Sequence, residues 1–203
     1  MSLRALLLFC LLGMACAHSP DPTFYALSAQ AGAPLRSRPL KIELRRAGLP
    51  GYLDRPQIVR RATAERLDLA GDERWGSPLD EMVGATLAED LAQRLPSCVV
   101  FSDSGAISST ADVRVEVQLF RFERSAEGAV ALSAEVAVHS ATSDASAIQR
   151  YTLSEKPASG RTSDVVTSLS RLLAQLADRI APLVLRDAEL PAATPDSPSK
   201  DVQ

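Results

Sequence analysis

The sequence predicts an α+β fold, a two-layer sandwich in which two main amphipathic helices cover one face of a largely antiparallel sheet. Three observations carry that expectation. Residues 111–124, ADVRVEVQLFRFER, alternate apolar and polar side chains, and after an SAEG turn residues 129–140, AVALSAEVAVHS, do so again. Period two on both arms of a turn is a hairpin. Two further stretches change to helical spacing. Leu79, Val83, Leu87, Leu91 and Leu95 recur every four residues with Met82 alongside, and Val165, Val166, Leu169, Leu172, Leu173, Leu176 and Ile180 form a second stripe.

The remaining elements follow in chain order. LKIELR at 40–45 sets Leu40, Ile42 and Leu44 on one face of a strand. GLPGYLDRP at 48–56 has the glycines and prolines of a shaped loop. QIVRRA and RLDLA then read as two short strands around a polar turn. Ser77 is expected to cap the first helix, with Pro78 at its first helical position and Asp80 as an acid in its first turn. Pro96 stops that helix, and CVVF at 98–101 reads as a short buried strand. Within 111–124 the alternation changes phase between Leu119 and Phe120, which places Phe120 and Phe122 on the opposite face and calls for a bulge. A third strand near residues 148–153 extends the hairpin into a meander, and the second helix closes the fold.

The chain begins MSLRALLLFCLLGMACAHSPDP. Its apolar run is too short to span a bilayer, which takes about 20 residues, but it has the charged start, apolar middle and small residues of an export signal. Cleavage before Cys16 leaves Ala15 at −1, and the arrangement resembles a bacterial lipobox. It departs from that pattern with Gly13 at −3 and Leu12 one position early. Cys10 fits worse, because bulky Phe9 precedes it. Ordinary secretion with cleavage after Ala15 or Ala17 is the alternative. His18 follows where an aspartate would favour inner-membrane retention, so outer-membrane sorting is expected. The expected organisation is a signal peptide over residues 1–15, a tether over 16–23, one domain over 24–185 and a disordered tail over 186–203, where Pro, Ala, Ser and charge replace apolar periodicity.

Of the whole chain, 22 basic residues face 25 acidic ones, and loss of Arg4 with the leader leaves 21 against 25. That balance gives no footprint for nucleic acid. With Cys16 acylated, Cys98 has no intramolecular partner and reads as a small buried hydrophobe. One free cysteine and two distant histidines assemble no metal site, and no cofactor motif is present. His139 is the only histidine in the folded part, and no nucleophile elbow, metalloprotease helix or phosphate loop occurs. The expectation is no enzyme.

Two stretches are more specific: LPGYLDRPQIVRR at 49–61 and DERWGSPLDEMVGATLAEDLAQRL at 72–95. With the lipobox-like leader and FYALS at 24–28, they resemble the ABC-type transport auxiliary lipoproteins of the PqiC-like family over most of the mature chain. The resemblance implies a periplasmic lipoprotein of the outer membrane, with a lipid anchor on Cys16, that works with an MCE-domain protein and inner-membrane transporter components in lipid transport. It also implies a homo-oligomeric ring. A stand-alone envelope lipoprotein that binds a small lipid or a cell-wall-associated partner is the alternative. Tyr52, Leu53, Asp54, Arg55 and Pro56 have the chemistry of an interface anchor, an aromatic and an arginine beside a rigid proline. The same residues also suit an inward-packed pair with a local Asp54–Arg55 ion pair. Trp75, the sole tryptophan, is a hydrophobic staple on the following helix or a contact with a neighbouring subunit.

Overall fold

The computed structural model describes residues 21–103, 105–106, 109–142 and 146–189, so the leader, Cys16 and residues 190–203 lie outside the description. Among the described residues the elements run β1 Thr23–Tyr25, β2 Lys41–Leu44, β3 Gln57–Arg61, β4 Leu67–Trp75, α1 Leu79–Arg94, β5 Val99–Ser102, β6 Val113–Arg124, β7 Val130–Ser140, β8 Ser146–Glu155 and α2 Thr162–Glu189. The fold is α+β, with both helices packed on one face of a single sheet.

β6 is the strand around which that sheet is organised. Along one side it pairs antiparallel with β7, which in turn pairs antiparallel with β8. Along the other side it meets β2 in parallel near Val113, Gly48 at Gln118, and β3 at Arg124. The segment between β2 and β3 therefore runs beside the middle of β6. The longest ladders are antiparallel as expected, but β1–β4, β2–β5, β2–β6 and β3–β6 are parallel, so the sheet is mixed. Alternation reveals which face a strand buries and not the direction of its partner, which is why the parallel seams were not foreseen.

The inward residues of β7 alternate without a break, and those of β6 do so from Val113 to Leu119. Val113, Val115, Val117 and Leu119 are buried against Val130, Leu132, Ala134, Val136 and Val138, and the expected helical stripes cover them. Burying a leucine-sized side chain contributes about 1.5–3 kcal/mol, so this face holds most of the favourable burial. The register of β6 slips between Leu119 and Arg121. The bulge is where the phase change placed it, but its effect on Phe122 differs from expectation. Phe120 points away from the helices and is 38% exposed, whereas the extra residue returns Phe122 to the core, 1% exposed and opposite Leu132.

Three other details differ from the sequence reading. Pro78, not Ser77, occupies the N-cap: its ψ of 131° is extended, so the helix starts at Leu79 and no side chain of the cap residue bonds to it. β5 is an edge strand rather than a buried one, with Val99 62% exposed and Cys98 half-buried beside Ser37. α2 continues to Glu189, past the boundary at 185, and β1 begins at Thr23, inside the expected tether. Among the described residues, no helix is long and apolar enough to cross a membrane.

The chain after β1 is strapped across both helices by buried polar groups. The Ser28 N–H donates to Ser170 Oγ at 3.1 Å, the Gln30 N–H to Asp90 Oδ1 at 2.7 Å, and the Leu35 N–H to the Arg94 carbonyl at 2.7 Å. Arg94, 2% exposed, donates in turn to Asp178, Gln30 O, Asp90 O and Ala174 O. A Cβ on Gly32 would lie 2.3 Å from the Arg94 guanidinium carbon, so the strap can lie this close only as glycine.

Asp90 is fully buried, and its Oδ2 has no hydrogen-bond partner. Burial pushes its carboxyl up to about 6, against the downward pull of the Gln30 N–H and Arg94. The folded state therefore holds this proton more tightly than the unfolded chain, whose value is 3.8. Asp90's contribution is full below that unfolded value and is lost as pH rises through about 6. Asp90→Asn should consequently gain stability relative to the parent as pH increases across this window. Denaturant unfolding of both proteins at intervals from about pH 4 to 7 checks this; parallel stability curves contradict it.

Candidate functional site

The YLDRP segment divides in two. Tyr52 and Leu53 turn inward: Leu53 is 2% exposed, and the Tyr52 hydroxyl bonds to the Phe120 carbonyl at 3.0 Å and Glu123 Oε2 at 2.9 Å. Both acceptors belong to the bulged part of β6, so the irregularity in that strand presents them to the loop. Glu123 has no exposed side-chain surface and also accepts from Arg61 Nε at 3.1 Å, Arg121 Nε at 3.0 Å and the Phe122 N–H at 2.9 Å. Arg61 also lies over the Tyr52 ring, 5.8 Å from its centroid. Burial, and then the Glu123 carboxylate, push the Tyr52 hydroxyl up to about 12, so it stays a neutral donor. Nothing in the alternation of 111–124 pointed to Glu123. A polar residue in a polar position reads as solvated until a loop folds over it.

Asp54, Arg55 and Pro56 turn outward. All three are exposed, and among the described residues neither Asp54 nor Arg55 has a side-chain hydrogen bond or ion pair. The anticipated Asp54–Arg55 ion pair is therefore not formed. With Trp75, Ser77, Pro78 and Leu79 these residues line an open cleft of about 390 Å³. Trp75 ends β4 at 5% exposure, and its N–H donates to the Pro56 carbonyl at 2.8 Å. That bond joins the two sequence stretches singled out above. β1 completes the wall from behind through the pairing of Tyr25 with Trp75 and the bond from the Gly76 N–H to Tyr25 O at 2.8 Å.

Arg46 holds the far side of the cleft in place. It reaches Asp80 in the first turn of α1 and, at 3.4 Å, Glu81. Burial raises the Asp80 carboxyl, but the Arg46 bond and the N–H of Glu81 outweigh it and hold the pKa below the ordinary value. The cleft therefore has rigid apolar walls of tryptophan, proline and leucine, and one unpaired charge of each sign at its mouth. That chemistry suits holding a protein segment, where an apolar anchor enters and a polar rim orients it. Among the described residues no three His, Cys, Asp or Glu side chains gather as metal ligands. His139 stands across from Glu116 at 3.7 Å on the helix-free face, away from any nucleophile pattern.

Solved structures share this fold. One uncharacterised protein matches with a TM-score of 0.68 at 23% identity, over 81% of this chain and 99% of its own. A Xanthomonas campestris protein of the DUF330 family also reaches 0.68, at 16% identity, over 82% of this chain and 97% of its own. PelC of Paraburkholderia phytofirmans, described as a dodecamer, scores 0.38 at 15% identity, too distant to bear on assembly here. No curated protein matches the sequence. Residues 25–181 match the model of the ABC-type transport auxiliary lipoprotein component, and the chain belongs to that family.

Proposed function

We propose that the chain is a periplasm-facing lipoprotein of the outer membrane, and the non-enzymatic docking subunit of an MCE/ABC-type lipid transport system that maintains the envelope. In this reading residues 1–15 are removed and acylated Cys16 holds the protein to the membrane through the tether. Several acyl chains at one cysteine far exceed the marginal grip of a single chain, since each buried CH₂ contributes about 0.8 kcal/mol. The folded domain then works as one repeated unit of a homo-oligomeric ring that receives the MCE-domain protein.

The observation that carries this reading is the Trp75 cleft. Tyr52 and Leu53 spend their apolar surface inside the domain, and that fixes Asp54, Arg55 and Pro56 on the outside with no partner of their own. A loop held this firmly to present an uncompensated Asp–Arg pair is serving a contact beyond its own scaffold. Family membership supplies the class of partner, a transport system in the envelope.

Two substitutions test it. Arg55→Ala should cost under ~0.5 kcal/mol in unfolding free energy, as for an exposed residue without partners. Oligomer size or co-purification with the MCE protein should nevertheless fall, and the emission of Trp75, the sole tryptophan, should stop responding to that protein. A large loss of stability with assembly intact contradicts the docking role. Cys16→Ser should abolish incorporation of a fatty-acid probe in cells, whereas Cys10→Ser should not; persistent labelling of Cys16→Ser removes the anchor assignment.

A further inference from the structure

The β6–β7 turn and the connection from β8 to α2 meet at one end of the sheet. Between them lies a second cleft of about 470 Å³, lined by Arg124, Glu127, Gly128, Lys156, Ser159 and Gly160 among others. Arg124 is the last residue of β6. One of its terminal nitrogens stands 3.3 Å from where a Cβ on Gly128 would be and 4.0 Å from one on Gly160, so the guanidinium is flanked by two glycines. Gly128 also has a φ of +90°, where other residues are strained. The backbone thus leaves room around the cation that ordinary side chains would fill.

Neither cation in this cleft is neutralised by the chain. Among the described residues the Arg124 guanidinium and the Lys156 ammonium make no hydrogen bond or ion pair, and the Arg124 Nε is buried without an acceptor. Nearby arginines differ. Arg60 reaches Glu73 at 2.9 Å, and Arg61 and Arg121 share Glu123. Glu127 is the one acid among the lining residues; it is exposed and forms no ion pair with Arg124 or Lys156 among the described residues. The Ser159 hydroxyl is committed to Asp164 in the first turn of α2. α2 itself, 28 residues long, starts two residues beyond Gly160, so the positive end of its dipole adds to the same field. An unpaired arginine costs free energy where it is partly buried, and a bound anion removes that cost.

We infer that this cleft binds a phosphate group, with Arg124 supplying a forked pair of N–H donors and Lys156 a point charge. A tetrahedral anion uses such a mixed set of donors better than a planar carboxylate does, and the volume leaves room for an ester substituent on the phosphate. A phospholipid headgroup and free phosphate offer the same chemistry. None of these residues lines the Trp75 cleft, so the inference stands or falls apart from the docking role.

Calorimetric titration of the purified full chain with inorganic phosphate and, separately, with dihexanoylphosphatidylglycerol below its micelle concentration tests the site and separates the two sources. Binding of the lipid in preference to phosphate identifies a headgroup site, and the reverse identifies a free-phosphate site. Arg124→Gln and Lys156→Gln should each weaken the favoured probe by roughly tenfold, the loss of one charge-assisted hydrogen bond, with the amide NMR signals of Gly128 and Gly160 shifting only at correspondingly higher probe concentration. Lys156 is exposed, so its variant is not confounded by misfolding. The inference is overturned if neither probe binds, or if the double variant binds as the parent does.

Discussion

A buried carboxylate holds the cleft-bearing end of this molecule together. Glu123 accepts hydrogen bonds from Tyr52, Arg61, Arg121 and its own neighbour's N–H, with no side-chain surface left to water. A lone carboxylate so placed would cost several kcal/mol, and it persists only because two arginines and two further donors converge on it. The donors come from the loop before β3, from β3 and from β6, so satisfying one charge fixes three segments. Removing any one donor leaves the carboxylate short, which makes the arrangement cooperative.

The cleft is a consequence of that fixation. With Tyr52 and Leu53 drawn inward against the β6 bulge, Asp54, Arg55 and Pro56 project outward, and the bond from the Trp75 backbone N–H to the Pro56 carbonyl sets them against the start of α1. Arg46 secures the same helix start through Asp80. Docking of a partner, as proposed, would cost little entropy here, because the loop backbone is already ordered by interactions within the domain. The buried Asp90–Arg94 pair performs the analogous task for the strap leading back toward the N-terminus.

Much of this architecture is legible in the residue pattern. Leu79, Val83, Leu87 and Leu91 of α1 and Leu95 at its C-cap form the buried stripe that their spacing requires, and the hairpin of β6 and β7 follows its alternation on either side of the bulge. The bulge at Phe120 was visible as a change of phase, but alternation alone could not show that it returns Phe122 to the core. The parallel partners of β2, and the three-residue β1, carry no local signal, because a parallel pairing is decided by segments distant in the chain. In the site, the aromatic, arginine and proline types of the YLDRP loop marked it out. Their division into inward and outward halves depended on Glu123, whose role appears only when the loop folds across β6. Arg124 and Lys156 were likewise silent, since an unpaired cation is defined by the absence of carboxylates that only the fold can place.

The central claim is that the Glu123 carboxylate, rather than local loop chemistry, orders residues 49–56 and so forms the cleft. Hydrogen exchange in a Glu123→Gln variant tests it most directly. The Leu53 N–H, which donates to Pro50 O, the Arg55 N–H, which donates to Leu53 O, and the Trp75 N–H, which donates to Pro56 O, should exchange markedly faster than in the parent. The amides of α1, remote from the carboxylate in their bonding, should keep their protection. Unchanged exchange at Leu53, Arg55 and Trp75 would show that the loop holds its shape without the buried charge, and would contradict the account.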